Sequence, residues 1–134
     1  MTLYRIEHPE DQFGPFQRDD YGRHERELDA YYNMPRPDIG WVYGLKWGRV
    51  GRRRCRFACR SVAELYTWFT APDRFQLHRC GYVLAEYDCP EYAWESDSEG
   101  SQALFDLKAA QCVAVQPLIE SVCATTNALT VTTN

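Results

Sequence analysis

Residues 53–69 read RRCRFACRSVAELYTWF, and a change of period inside this stretch decides the fold class. Its first half alternates: Cys55, Phe57 and Cys59 are expected on the inner face of an extended strand. Arg54, Arg56, Ala58 and Arg60 then fall on the other face. At Ser61 the pattern switches. Ser61-Val62-Ala63-Glu64 has the form of a capping box, in which the Ser61 hydroxyl accepts from the Glu64 amide and the Glu64 carboxylate returns to the Ser61 amide. Beyond it Val62, Leu65, Tyr66 and Phe69 recur at three- and four-residue spacing, the apolar stripe of a short helix. Pro72 is expected to end that helix, because proline restricts the residue before it and lacks an amide donor.

Other elements extend outward from this strand–helix unit. On the N-terminal side, Trp41, Tyr43, Leu45 and Trp47 alternate with Val42, Gly44 and Lys46, and Gly48 to Gly51 supply a turn, so a hairpin into the Arg53 strand is expected. Leu3 to Glu7 alternates as a first strand, ended by His8-Pro9, with a turn at Gly14-Pro15-Phe16. A short helix is expected within His24 to Tyr32, and an extended loop across Met34 to Asp38. On the C-terminal side, Pro72 to Arg79 reads as a second helix with Gly81 at a left-handed cap. Tyr82 to Asp88 is a strand stopped by Pro90, residues 91–101 a loop, and Gln102 to Leu107 a strand. Lys108 to Val122 mixes helix formers with a proline at 117 and is assigned no element. The sum is one α+β domain over residues 1–123, a mostly antiparallel sheet with a few short helices. Residues 124–134 are a tail, an edge strand or disordered.

A chain of 134 residues suits one domain with a core of its own, and nine tyrosines, six phenylalanines and four tryptophans favour strands. The opening residues lack a charged region leading into an apolar one, and no apolar run has the length of a membrane span. A soluble protein acting in the host cytoplasm is the expectation. The six cysteines, at 55, 59, 80, 89, 112 and 123, are then expected as reduced thiols filling apolar sites. Without a tight Cys-x-x-Cys pair or a Cys–His pairing, no metal site is expected.

Charge is segregated along the chain. Lys46, Arg49, Arg52, Arg53, Arg54, Arg56 and Arg60 form a basic run, and Glu86, Asp88, Glu91, Glu95, Asp97, Glu99 and Asp106 an acidic one. The first implies two complementary surfaces or a nucleic-acid contact supported by stacking on Trp41, Tyr43 and Trp47; the net charge of −4 argues against direct nucleic-acid binding. The second presents an acidic face to a basic partner. Walker, GxGxxG, HExxH and GxSxG motifs are absent. His8, His24 and His78 are scattered, and Asp19-Asp20 reads as a solvated pair.

An ordered set of short motifs remains: LYRIEHP, GPF, the cysteine strand feeding SVAELYTWF, CGYVLAEYDC and SQALFD. This succession, over residues 3–107, resembles small proteins of bacteriophages and mobile elements. It also resembles the ADP-ribosyltransferase fold. That second resemblance implies NAD as cofactor, Arg5 on its pyrophosphate or ribose, Ser61 on the nicotinamide ribose, Tyr66 stacked on the nicotinamide, and Gln102, or Glu99 in its place, as the late residue. Gln102 cannot supply the carboxylate such transferases use. The expectation is therefore a binding role without a cofactor: an anti-CRISPR-like inhibitor that blocks a host defence protein handling nucleic acid. Its contact residues are expected to be Glu86, Asp88, Glu91, Glu95, Asp97 and Glu99. A mono-ADP-ribosyltransferase acting through Arg5, Ser61 and Gln102 is the alternative.

Overall fold

A computed structural model describes residues 1–16, 27–34, 51, 54–97, 100 and 102–119. The chain order is β1 (Thr2–Glu7), α1 (Ala30–Asn33), β2 (Cys55–Ala58), α2 (Val62–Trp68), α3 (Ala71–Arg79), β3 (Val83–Asp88), a 3₁₀ turn (Glu91–Ala93), β4 (Trp94–Ser96), β5 (Ala103–Asp106) and β6 (Gln111–Gln116). The α+β expectation holds, with the strands divided between two antiparallel three-stranded sheets. Their orders are β1-β3-β6 and β2-β5-β4. Among the described residues one bridge joins the sheets, where the Tyr4 and Cys59 amides each donate to the other residue's carbonyl at 2.8 Å.

The faces of β1 sort the layers. Leu3, Arg5 and Glu7 lie opposite Tyr87, Ala85 and Val83 of β3. Leu3, Ala85 and Tyr87 pack with Ala58, Ala103 and Phe105 of the second sheet. On the opposite face Tyr4, Ile6 and Leu84 pack with Leu65, Trp68 and Phe69 of the α2 segment and Leu77 of α3. β1 is thus covered on both sides.

The strand-to-helix junction stands as expected, with three corrections. Ser61 Oγ accepts from the Glu64 amide at 3.1 Å, but the hydrogen bonds of these residues include no return from the Glu64 carboxylate. Pro72 does not stop α2. That helix ends at Trp68, Phe69 turns extended, and Pro72 sits in the first turn of α3, where its missing N–H costs nothing. Nor is β2 one-sided: Arg56 and Ala58 are buried and Phe57 is only half-buried. Ala58 packs with Leu3 and Ala103 and Cys55 with Leu104, so β2 carries buried residues on both faces and alternation could not tell its two sides apart.

Residues 94–96, expected in a loop, form β4, because their backbone pairs with Ala103 to Phe105 and Ala93 is buried ahead of them. Residues 111–116, assigned no element from sequence, form the edge strand β6. Its side chains are exposed or half-exposed, so no buried face imposes alternation. The helix within His24 to Tyr32 is described only as α1, four residues long. Its Asp29 and Ala30 amides donate to the buried Asp73 carboxylate of α3, each at 2.8 Å. The Trp41–Trp47 strand, nearly all of its hairpin turn and the 124–134 tail lie outside the described residues.

Gly81 is required where it stands. With φ +91° it follows α3 in the left-handed region, and the Gly81 and Tyr82 amides donate to the His78 and Leu77 carbonyls at 3.1 and 3.0 Å. A methyl group there would sit 2.9 Å from His8 Nε2. Gly81→Ala is expected to cost more than about 1 kcal/mol in urea unfolding. An unchanged midpoint would contradict the cap geometry. Phe69→Ala is expected to cost about 3–5 kcal/mol, and half-buried Phe57→Ala clearly less. The reverse order would invalidate the assignment of the faces.

Candidate functional site

β1 and β2 run side by side only at the Tyr4–Cys59 bridge. The next hydrogen-bonded pair of an antiparallel ladder would join Ile6 to Phe57, two residues along each strand. That pair does not form, and the gap is taken by a side chain. Arg5 Nη1 donates to the Phe57 carbonyl at 2.8 Å, Nε to Glu7 Oε1 at 2.9 Å and Nη2 to the Gln12 carbonyl at 3.3 Å. Arg5 and Glu7 share a face because they are two apart on a strand, and both are buried.

Further groups complete the cluster. The Tyr87 hydroxyl lies 2.8 Å from both Glu7 carboxylate oxygens and donates to that carboxylate, while accepting from Gln12 Nε2 at 2.9 Å. The Gln12 carbonyl also accepts from Arg56 Nε at 3.0 Å, and the Arg56 guanidinium lies over the Phe13 ring. Gln12 has φ +60°, an uncommon conformation for a residue with a side chain. Its amide closes a turn onto the His8 carbonyl at 2.8 Å, so the loop after β1 folds back to place one carbonyl between two arginines. Burial lowers the Arg5 pKa, against the pull of Glu7, yet an arginine stays charged. Burial and then the Glu7 charge push the Tyr87 phenol well above its ordinary value.

Beside the cluster lies a cavity of about 270 Å³, lined by Arg5, Ile6, Gly14, Pro15, Phe16, Met34, Phe57, Ala58, Leu65, Trp68, Phe69 and Gln102. Two of the residues named from sequence, Arg5 and Gln102, therefore meet at one cavity. Ser61 does not: it is exposed and its hydroxyl caps α2. Tyr66 is also absent from the lining, with its ring under the Arg74 guanidinium at 4.1 Å. Glu99 lies outside the described residues. Glu7, Gln12, Arg56 and Tyr87 were missed from sequence, although Arg5-Ile6-Glu7 on a strand already placed opposite charges on one face.

The acidic segment is spread over several elements. Glu86 is half-buried on β3, Glu95 lies on β4 of the other sheet, and Asp97 shapes a turn by accepting from the Gln102 amide at 3.4 Å. Asp88 and Glu91 come together, 3.9 and 4.0 Å from the Met1 amine and largely exposed. Tyr92 beside them is 74% exposed. The basic run is also dispersed: Arg54 forms a two-pronged pair with Asp106, Arg56 is buried, and Arg60 donates to the Gly100 carbonyl at 2.8 Å. The other members lie outside the described residues. Cys55, Cys59 and Cys89 are buried, Cys80 and Cys112 exposed. Among the described residues no group of three or more His, Cys, Asp or Glu side chains is arranged to hold a metal, and no helix is long and apolar enough to cross a membrane.

Two antiparallel sheets joined by one bridge, with a buried Arg–Glu–Tyr cluster and an adjoining cavity, define a small α+β protein. The chain belongs to the family described as Bacteriophage T4 Y00F protein, whose profile matches residues 1–119 and so takes in every described element. It is thus a small phage protein. No curated protein and no solved structure matches it, so the ADP-ribosyltransferase resemblance gains no support from a structural relative.

The buried groups set an alkaline limit on stability. Burial raises the Cys89 thiol from 9.0 to about 11 and moves Cys59 and Tyr87 the same way. Protonated forms are thereby favoured in the folded state, and the unfolded chain releases its protons first. The Cys89 contribution is fully present below about pH 9 and lost as pH rises through about 11. Urea midpoints measured from pH 7 upward are expected to hold until about pH 9 and then fall; a midpoint that rises across that range would be incompatible with these buried groups.

Proposed function

We propose that this phage protein works by stoichiometric occupancy of a host defence protein that handles nucleic acid, as anti-CRISPR inhibitors do. The contact centres on Asp88, Glu91 and Tyr92. The observation that carries this reading is the exposed Tyr92 side chain, next in sequence to Glu91, together with the largely exposed carboxylates of Asp88 and Glu91. An aromatic with two rotatable bonds anchors an interface at low entropic cost, and carboxylates around it steer the approach to a basic, nucleic-acid-binding surface. Glu95, exposed on β4, extends the negative charge on the far side of the 3₁₀ turn. Glu86 and Asp97 are too enclosed to lead the contact.

The transferase alternative is the weaker. Arg5 has each guanidinium nitrogen engaged inside the protein, Ser61 holds the α2 cap, and Gln102 carries no charge. A residue that must grip a pyrophosphate needs a positive charge that is not already met, and Glu7 lies 2.9 Å from the Arg5 guanidinium; a ribosyl cation needs a carboxylate nearby.

Titration against the captured host target separates the two. An equivalence point near one to one is expected, with affinity falling as salt rises because exposed charges are screened within roughly 8–10 Å. Asp88→Lys with Glu91→Lys, or Tyr92→Ala alone, is expected to weaken binding at least tenfold while leaving the urea midpoint in place. Inactivation at a small molar fraction with ADP-ribose on the target, or full binding by all three substituted positions together, would defeat the proposal.

A further inference from the structure

The cavity between β1 and β2 plays no part in that contact, and its lining is chemically specific. Phe16, Phe57, Trp68 and Phe69 contribute aromatic rings, with the Phe16 and Phe69 rings 6.2 Å apart and inclined by only 24°. Met34 adds a thioether, a favourable neighbour for a ring. Among the described lining residues the polar side chains are Arg5 and Gln102, both buried.

Arg5 supplies the decisive detail. A guanidinium carries five N–H donors. Its bonds to Glu7, Phe57 and Gln12 use one on each nitrogen, so one N–H on Nη1 and one on Nη2 have no partner among the described residues. Buried donors of this kind are ordinarily satisfied, and a bound acceptor beside them would do so. The charge of Arg5 is already met by Glu7 at 2.9 Å, so an additional anion would be desolvated without an unpaired cation to receive it. A neutral acceptor carries no such penalty.

We propose that this cavity binds a flat, uncharged aromatic small molecule bearing one carbonyl, such as an aryl ketone or aryl amide. The ring lies among Phe16, Phe57, Trp68 and Phe69, and the carbonyl oxygen accepts from Arg5 beside the Gln102 amide. About 270 Å³ suits a molecule of one or two rings.

Acetophenone, benzoate and toluene are matched probes for this site: one ring each, with a neutral acceptor, an anionic acceptor and none. Titrating each into the full chain, followed by the Trp68 indole and Arg5 Nε–H signals in ¹H–¹⁵N spectra, is expected to show acetophenone binding at least tenfold tighter than either of the others. Gln102→Leu is expected to narrow the preference over toluene, and Ala58→Leu, which fills the cavity from β2, to weaken all binding. Binding of none of the three, equal or tighter binding of benzoate or toluene, or acetophenone binding undiminished in a folded Ala58→Leu variant would each overturn the proposal. The wild-type comparison suffices if a variant fails to fold. Loss of Tyr92-dependent target binding leaves this test untouched, since the probes enter elsewhere.

Discussion

The Arg5 guanidinium is the constraint on which the rest depends. It stands where two strands part, and it replaces a missing rung of backbone ladder with a side-chain donor to the Phe57 carbonyl. It also holds Glu7, and Glu7 holds Tyr87 of the neighbouring strand. One side chain therefore connects β1, β2, β3 and the returning loop at Gln12. Burying a carboxylate and a guanidinium is expensive, and their close pairing with further hydrogen bonds makes it tolerable. Removing one partner leaves a charge with nothing to answer it, for which about 3–5 kcal/mol is typical. An apolar replacement of the whole pair has no such defect, but it would neither donate to the Phe57 carbonyl nor fix the loop after β1.

That loop shows how the constraint propagates. Gln12 keeps a left-handed backbone without being glycine, because three groups over-determine it: its amide on the His8 carbonyl, its carbonyl between Arg5 and Arg56, and its side chain on Tyr87. The Phe13 ring then lies against Arg56, and Gly14, Pro15 and Phe16 arrive at the cavity wall. The strain is local and the gain is positional, since a loop of few residues closes one side of a site whose other sides are regular structure.

Much of the architecture was legible because local chemistry and packing agree there. Ser61 caps the helix it precedes, Gly81 takes the left-handed position after α3, and Leu3 to Glu7 and Val83 to Asp88 alternate as strands with one face to each layer. Legibility failed where pairing, rather than periodicity, made the element. β4 exists because Ala103 to Phe105 offer an edge to residues 94–96, and β6 because β3 offers another. Neither short strand has a clean buried face to leave a pattern. Arg56 was misread for the complementary reason: an arginine on a strand suggests solvent, and the sequence does not show the Gln12 and Cys55 carbonyls that meet its guanidinium inside the protein. The site was half visible. Arg5 and Gln102 were identifiable as unusual, but sequence order could not show that Ser61 faces outward while Glu7 and Tyr87 close the cluster.

The cavity follows from the same break in the ladder. Had Ile6 and Phe57 paired, β1, β2 and their flanking sheets would have merged into one continuous surface with no space between them. Separation after a single bridge leaves room, and Leu65, Trp68 and Phe69 of the α2 segment line it with apolar side chains. Such a gap costs stability in proportion to its volume, so a core selected for packing alone would have filled it, for example with a larger residue at Ala58 or Gly14. Arg5, at its wall, is held by hydrogen bonds built into the fold, which makes that corner rigid as well as specific. Geometry of that kind, held by strands and a buried ion pair rather than by a loop alone, is what allows a small protein to present one acceptor-seeking corner inside an otherwise aromatic pocket.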